Sequence, residues 1–162
     1  MSFPLAKMSP LIRMLTAFFL ALPIVFAIGA FAGAQALGIP AVLVAVLCAW
    51  VWLRWRPSRF TVENGGFEIV WPLKRRRVAR EEILSARVID RAQLKVELGW
   101  AIRIGVGGLW GGFGRLWTKR RGLVRMYISR TDRFVWIETA QGGPWLITPE
   151  SPEAFVQALS SS

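Results

Sequence analysis

Between Arg13 and Arg54 the chain runs for 40 residues without a charged side chain, whereas beyond Arg54 apolar and charged positions alternate. The uncharged part begins with a 21-residue apolar run, 14–34, breaks at Gln35 and Gly38, and resumes over 39–53. A hydrocarbon core of about 30 Å takes roughly 20 apolar helical residues. The first run meets this length, and the second does so once Ala36, Leu37 and Trp55 join it. The pattern predicts two transmembrane helices, about 14–34 and 37–55, joined by a tight turn over 35–40 into an antiparallel hairpin. Pro23 removes one backbone donor, which membrane helices tolerate by local adjustment. Gly29, Ala30, Gly33 and Ala34 fit close helix approach near the turn, or simply ordinary membrane composition. Trp50, Trp52 and Trp55 suit an interfacial aromatic belt.

A cleaved signal peptide is the competing reading, with Lys7 and Arg13 as its basic end and Ala32-Gly33-Ala34 as a small-residue site. The apolar run exceeds the roughly 7–15 residues of such a segment, and a second apolar run follows at once. The hairpin is therefore the reading carried forward. Lys7 and Arg13 precede it, Arg54, Arg56 and Arg59 follow it, and its turn has no charge. An excess of Lys and Arg on the cytoplasmic side of an inner (plasma) membrane then places both chain ends, including a short segment 1–13, in the cytoplasm.

Residues 57–162 form a 106-residue stretch, long enough for one small domain with its own core. Residues 59–63 alternate and stop at Asn64-Gly65-Gly66, a hairpin signal before 67–71. Residues 74–80 predict a third strand whose charges mark an exposed edge or face. Strands follow at 83–90 and 94–106, then a Gly-rich stretch, then strands at 122–129, 134–139 and 145–148. After these the period changes. Ser151 at a cap position, Pro152 at the first turn and the stripe Phe155, Val156, Leu159 predict a C-terminal helix. The expectation is about seven short strands in a barrel or sandwich, with that helix able to plug an open barrel end: a membrane α-helical hairpin plus a mainly β, α+β domain.

Composition sharpens this picture. The chain has no histidine and one cysteine, which excludes His-based proton transfer, His metal sites and internal disulfides. Its 21 Lys and Arg outnumber 10 Asp and Glu, and 19 of those cations and all 10 acids lie from Arg54 onward, a net +9 there. Such charge first suggests nucleic acid. The location argues for lipid instead, because only three residues separate Leu53 from Pro57, so the domain is tethered against the membrane. Each cation near an anionic leaflet contributes about 1 kcal/mol.

Four stretches resemble the bacterial pleckstrin-homology-like (PH-like) domains: RFTVENGGFEI at 59–69, REEILSARVI at 80–89, GVGGLWGGFGRLW at 105–117 and WLITPESPEAFVQAL at 145–159. The resemblance implies a bent antiparallel sheet packed as a partly open barrel under a C-terminal helix. It implies no particular chemistry, since that fold serves varied binding roles. No basic motif of the inositide-binding kind is matched.

Two basic clusters are the candidate contacts: Lys74, Arg75, Arg76, Arg77 and Arg80, and Arg115, Lys119, Arg120 and Arg121 with Arg125 nearby. Topology and solubility alone are the plain account of them, and contact with anionic phospholipid the functional one. The glycines 105–114 match neither phosphate-loop pattern, because Trp110 stands where the first needs a glycine and no Gly-Lys pair occurs. They read as a wide loop or bulged connection. Trp110, Phe113 and Trp117 among them are either barrel core or groups that insert into the membrane interface. Glu81 and Glu82 diverge on a strand, while Glu63, Glu68, Glu97 and Glu138 read as ion-pair partners. Cys48 is a small apolar helix residue. No cofactor, metal or reaction is expected. The sequence thus favours a two-pass membrane protein presenting a binding or assembly module to anionic lipid and a protein partner. The alternative is a structural or self-associating subunit of a larger membrane complex. Nucleic acid ranks last.

Overall fold

The computed structural model describes residues 1–63 and 65–161. The two apolar runs are helices, α1 (Pro10–Phe31) and α2 (Gly38–Arg54), joined through a single 3-10 turn at Gln35–Leu37. At 1.5 Å per residue, the 22 residues of α1 rise about 33 Å. They are long and apolar enough to be candidate membrane spans, and their sides are largely uncovered by protein: Phe18, Val25, Ile28, Val42, Leu43 and Val46 are all exposed. A core helix of a soluble domain would bury such residues, whereas a helix apolar on all sides calls for lipid. The first helix starts four residues earlier than the apolar run, because Pro10 suits the first turn and Arg13 points out of it.

Residues before α1 pack on the domain. Ser2–Pro4 form a strand, β1, that pairs antiparallel with β2 (Arg59–Glu63), Phe3 lying opposite Phe60. Phe3 also meets the ring of Phe155 edge-on at 5.3 Å. Removal of a leader ending near residue 34 would therefore strip a strand from the sheet. β1 and β2 continue into β3 (Gly66–Val70) and β4 (Arg75–Ala79), a four-stranded antiparallel sheet in chain order. The first residue of the expected Asn64-Gly65-Gly66 turn, Asn64, lies outside the described residues.

The second sheet has six strands in the order β5-β9-β10-β8-β7-β6. They are β5 (Ile83–Ile89), β6 (Ala101–Gly107), β7 (Gly112–Thr118), β8 (Gly122–Ile128), β9 (Phe134–Thr139) and β10 (Trp145–Ile147). Among its described residues the domain thus has nine strands rather than about seven, and one pairing, β10 with β8, is parallel. The two sheets do not close into a barrel. Between them lies a core of Phe60, Phe67, Ile69, Val135, Ile137, Trp145 and Ile147. The C-terminal helix α4 (Pro152–Ser160) plugs one end with Phe155 and Leu159, as its stripe predicts, although the Ser151 hydroxyl makes no capping bond.

The expected strand at 94–106 is the clearest departure. Its first half is a helix, α3 (Arg91–Leu98). Asp90 accepts from the Gln93 backbone at 2.8 Å, while the Gln93 side chain accepts from the Asp90 backbone at 2.9 Å. This reciprocal capping box starts a helix whatever the following alternation suggests. Leu94 and Leu98 then cover the outer core, where Val124, Met126, Trp136 and Leu146 lie.

Candidate functional site

The register of β6, β7 and β8 sets three rows of side chains across one sheet face. The rows are Val106–Phe113–Tyr127, Ile104–Arg115–Arg125 and Ile102–Trp117–Leu123. The Gly-rich run is neither a wide loop nor a phosphate loop. It is the β6–β7 hairpin itself, turned tightly where the Gly108 N–H donates to the Gly111 carbonyl at 2.9 Å.

The first row packs against the helical hairpin. Phe113 is fully buried and Trp110 only 8% exposed, in a cluster with Cys48, Val51 and Leu109. Trp110 meets Trp52 edge-on at 5.0 Å. In the described structure these two aromatics are therefore protein core, not free groups for membrane insertion, because the hairpin itself covers them. Thr16, two turns into α1, is buried and holds the turn. Its hydroxyl lies 2.8 Å from the Ile12 carbonyl and 3.2 Å from that of Gly108, and accepts from the Trp110 N–H at 2.8 Å. Irregular backbone beside a lipid-facing helix needs such partners. Further down, Ser9 N–H donates to the Ser129 carbonyl at 3.1 Å and the Trp71 indole N–H to the Trp55 carbonyl at 3.0 Å. Replacing Thr16 with valine leaves the Trp110 N–H without an acceptor, at a cost of about 1–3 kcal/mol. Thermal unfolding of the full chain in detergent should show a Tm lowered by about 2–4 °C per kcal/mol, with Thr16→Ser near wild type.

The second row carries the charge. Arg76 lies opposite Ile69 in β4, on the inward face, and its guanidinium sits 5.1 Å over the Trp145 ring. Arg125 comes over the same ring at 4.7 Å. Arg115 lies beside Arg125 in the ladder. Trp145 stacks on Tyr127, Tyr127 meets Trp71 edge-on at 5.3 Å, and the Lys74 ammonium stands 4.5 Å over Trp71. A line of rings thus leads from three arginines to the end of α2.

These cations are not compensated. Among the described residues, carboxylate pairs within 4 Å involve Arg87 and Arg121 with Glu97 and Glu138, and Arg133 with Glu153. Arg76, Arg115, Arg125 and Lys74 take part in none of them. Burial lowers the Arg125 pKa, Arg76 and Arg115 lower it further, and Tyr127 and Glu82 offset this only partly. Burial likewise lowers Lys74, with Arg54 and then Arg76 adding to the effect. Burial raises Tyr127 against the pull of the same arginines. Like charges held this close favour a bound anion, and planar guanidinium forks match phosphate oxygens.

The two sequence clusters are therefore partly merged and partly dispersed. Arg76 joins Arg115 and Arg125, while Arg75 and Arg77, exposed as Arg76 is, lie opposite Val70 and Glu68 on the other face of β4. Arg80 leaves the strand in the turn Arg80–Glu82. Arg121 pairs with Glu97, Arg120 donates to the Val96 carbonyl at 2.8 Å, and Lys119 is exposed beyond β7. Trp117, 46% exposed, belongs to the third row. The rings beneath the arginines and the clamp at Thr16 had no signal of their own in the sequence. Aligning 112–118 against 122–128 about a turn at 119–121, however, sets Arg115 opposite Arg125.

A family model described as the bacterial PH domain matches residues 58–162, more than half of the chain. No curated protein and no solved structure matches it.

Proposed function

This chain belongs to the bacterial PH domain family, and we propose that it is a two-pass inner-membrane protein that presents this domain at the cytoplasmic surface to bind anionic phospholipid and a protein partner. The observation that carries the lipid reading is the uncompensated group Arg76, Arg115 and Arg125, linked through the rings of Trp145, Tyr127 and Trp71 to the end of α2. Lys74 of the same group feels the charge of Arg54, the last residue of that helix. Where α1 and α2 span the bilayer, the row of arginines lies near the phosphates of the leaflet that α2 leaves. The basic flanks of the hairpin support a cytoplasmic location for that leaflet. The pairing of β1 with β2 supports an N-terminus on the same side as the domain.

Three cations at about 1 kcal/mol each give on the order of a hundredfold in affinity for an anionic headgroup. Native mass spectrometry of the full chain should therefore retain phosphatidylglycerol or cardiolipin over phosphatidylcholine. The combined Arg76→Gln, Arg115→Gln, Arg125→Gln variant should lose that preference by this factor, and the matched Arg75→Gln, Arg77→Gln, Arg120→Gln variant should not. Equal losses in the two would reject a defined site and leave only diffuse surface charge.

A further inference from the structure

Of the four sheet edges, three are protected. β1 is three residues long and ends in proline, β4 carries three successive arginines, and β5 shifts register between Ile83 and Ser85 with α4 packed beside it. Short edges, charges, prolines and irregular register all discourage further strand pairing. The fourth edge, β6, is seven residues long and contains neither proline nor acid. Lys119 N–H donates to the Trp100 carbonyl at 3.0 Å, so residues 100 and 119 are a hydrogen-bonded pair. Alternation along an antiparallel ladder then turns the N–H and C=O of Ala101 and Arg103 away from β7, toward the open edge. Beside that edge, Ile102 and Ile104 are 46% and 57% exposed, and Trp117 stands opposite Ile102 with Trp100 edge-on to it at 6.2 Å.

We infer that β6 is the docking edge for the protein partner, which adds an extended segment of alternating apolar and acidic residues as a seventh strand. The backbone groups of Ala101 and Arg103 supply the ladder, and Ile102, Ile104 and Trp117 seat the apolar side chains. Charge selects the occupant. Arg103 is the only charged residue in the strand, on the face opposite that of Ile102 and Ile104, and it has no carboxylate within 4 Å among the described residues. A second copy of this chain would bring another uncompensated cation to this edge, whereas the acidic positions of an alternating strand fall on the Arg103 face and neutralise it while its apolar positions meet Ile102 and Ile104. This rests on the partner-binding half of the proposed function and is independent of the lipid half.

The test uses the full chain in nanodiscs of phosphatidylcholine alone, so that the lipid site is not engaged. The probe is a labelled ten-residue peptide of alternating valine and glutamate, compared with a valine–lysine peptide and with the acidic peptide carrying a central proline. The acidic peptide should bind, and each control should bind at least tenfold more weakly. Arg103→Glu and the exposed-site pair Ile102→Asp, Ile104→Asp should each weaken it at least tenfold while retaining phosphatidylglycerol in mass spectra as wild type does. Absent binding, indifference to peptide charge or to these variants, or disulfide-linked dimers of an Arg103→Cys chain would overturn the inference. Failure here with lipid retention intact removes only the docking edge. Loss of lipid discrimination with peptide binding intact removes only the lipid site.

Discussion

Gly114→Val is expected to unfold the β6–β7 hairpin and free the domain from the helices. Gly114 has a φ of +132°, and a Cβ there would lie 2.5 Å from the Ile104 carbonyl oxygen. Its partner Gly105 has a φ of +146°, with a Cβ position 2.3 Å from the Phe113 carbonyl oxygen. The two strands approach here backbone to backbone, in a conformation that side chains rarely adopt. The backbone strain costs about 1–3 kcal/mol, and forcing a side chain into a filled space costs about as much again, 1–3 kcal/mol. The strands part next to Phe113, so the row that packs on Cys48 and Val51 goes with them. Denaturant unfolding in detergent should show the loss, and protease should cut within 105–114. Gly122→Ala is the contrast. That glycine also has a positive φ, +65°, but open space around its Cβ position, so only a conformational cost applies.

Trp145→Ala should be the second large effect, because it removes core and site together. The indole is 1% exposed, meets Phe67 edge-on at 5.9 Å and carries both Arg76 and Arg125 on its ring. Truncating a buried tryptophan costs about 3–5 kcal/mol, and each guanidinium loses a ring contact of about 0.5–2 kcal/mol. The variant should therefore melt well below wild type. At temperatures where it remains folded, it should also discriminate poorly between anionic and zwitterionic lipid although no charge has been removed. Trp145→Phe keeps an aromatic face and should recover much of the lipid preference while remaining less stable. Unchanged discrimination in a folded Trp145→Ala chain would mean that the rings do not position the arginines.

The hairpin, β2 and β3, and the closing helix were legible because each rests on a local pattern: 40 uncharged residues, an alternation broken by glycines, and a stripe after Ser151-Pro152. Other features needed contacts that a linear pattern lacks. α3 hides in an alternating stretch, since two side-chain bonds between Asp90 and Gln93 decide it. β1 exists because β2 offers an edge 55 or more residues away. The Gly-rich strands had too few side chains to show a period. Trp110 and Phe113 read in the sequence either as core or as interface-inserting groups, and only the return of the hairpin against α1 and α2 shows them buried. The site itself joins Arg76 to Arg115 and Arg125 through sheet packing, so Arg75, Arg77 and Arg80 of one cluster and Lys119, Arg120 and Arg121 of the other lie elsewhere.

Solid-state NMR of the full chain in phosphatidylglycerol bilayers, with phosphorus–nitrogen recoupling to labelled guanidinium groups, tests the central claim most directly. The account predicts lipid phosphorus within hydrogen-bonding range of Arg76, Arg115 and Arg125, assigned by loss of each signal in the single Gln variants. Phosphorus contacts to Arg75, Arg77 and Arg120 with none to those three would contradict it.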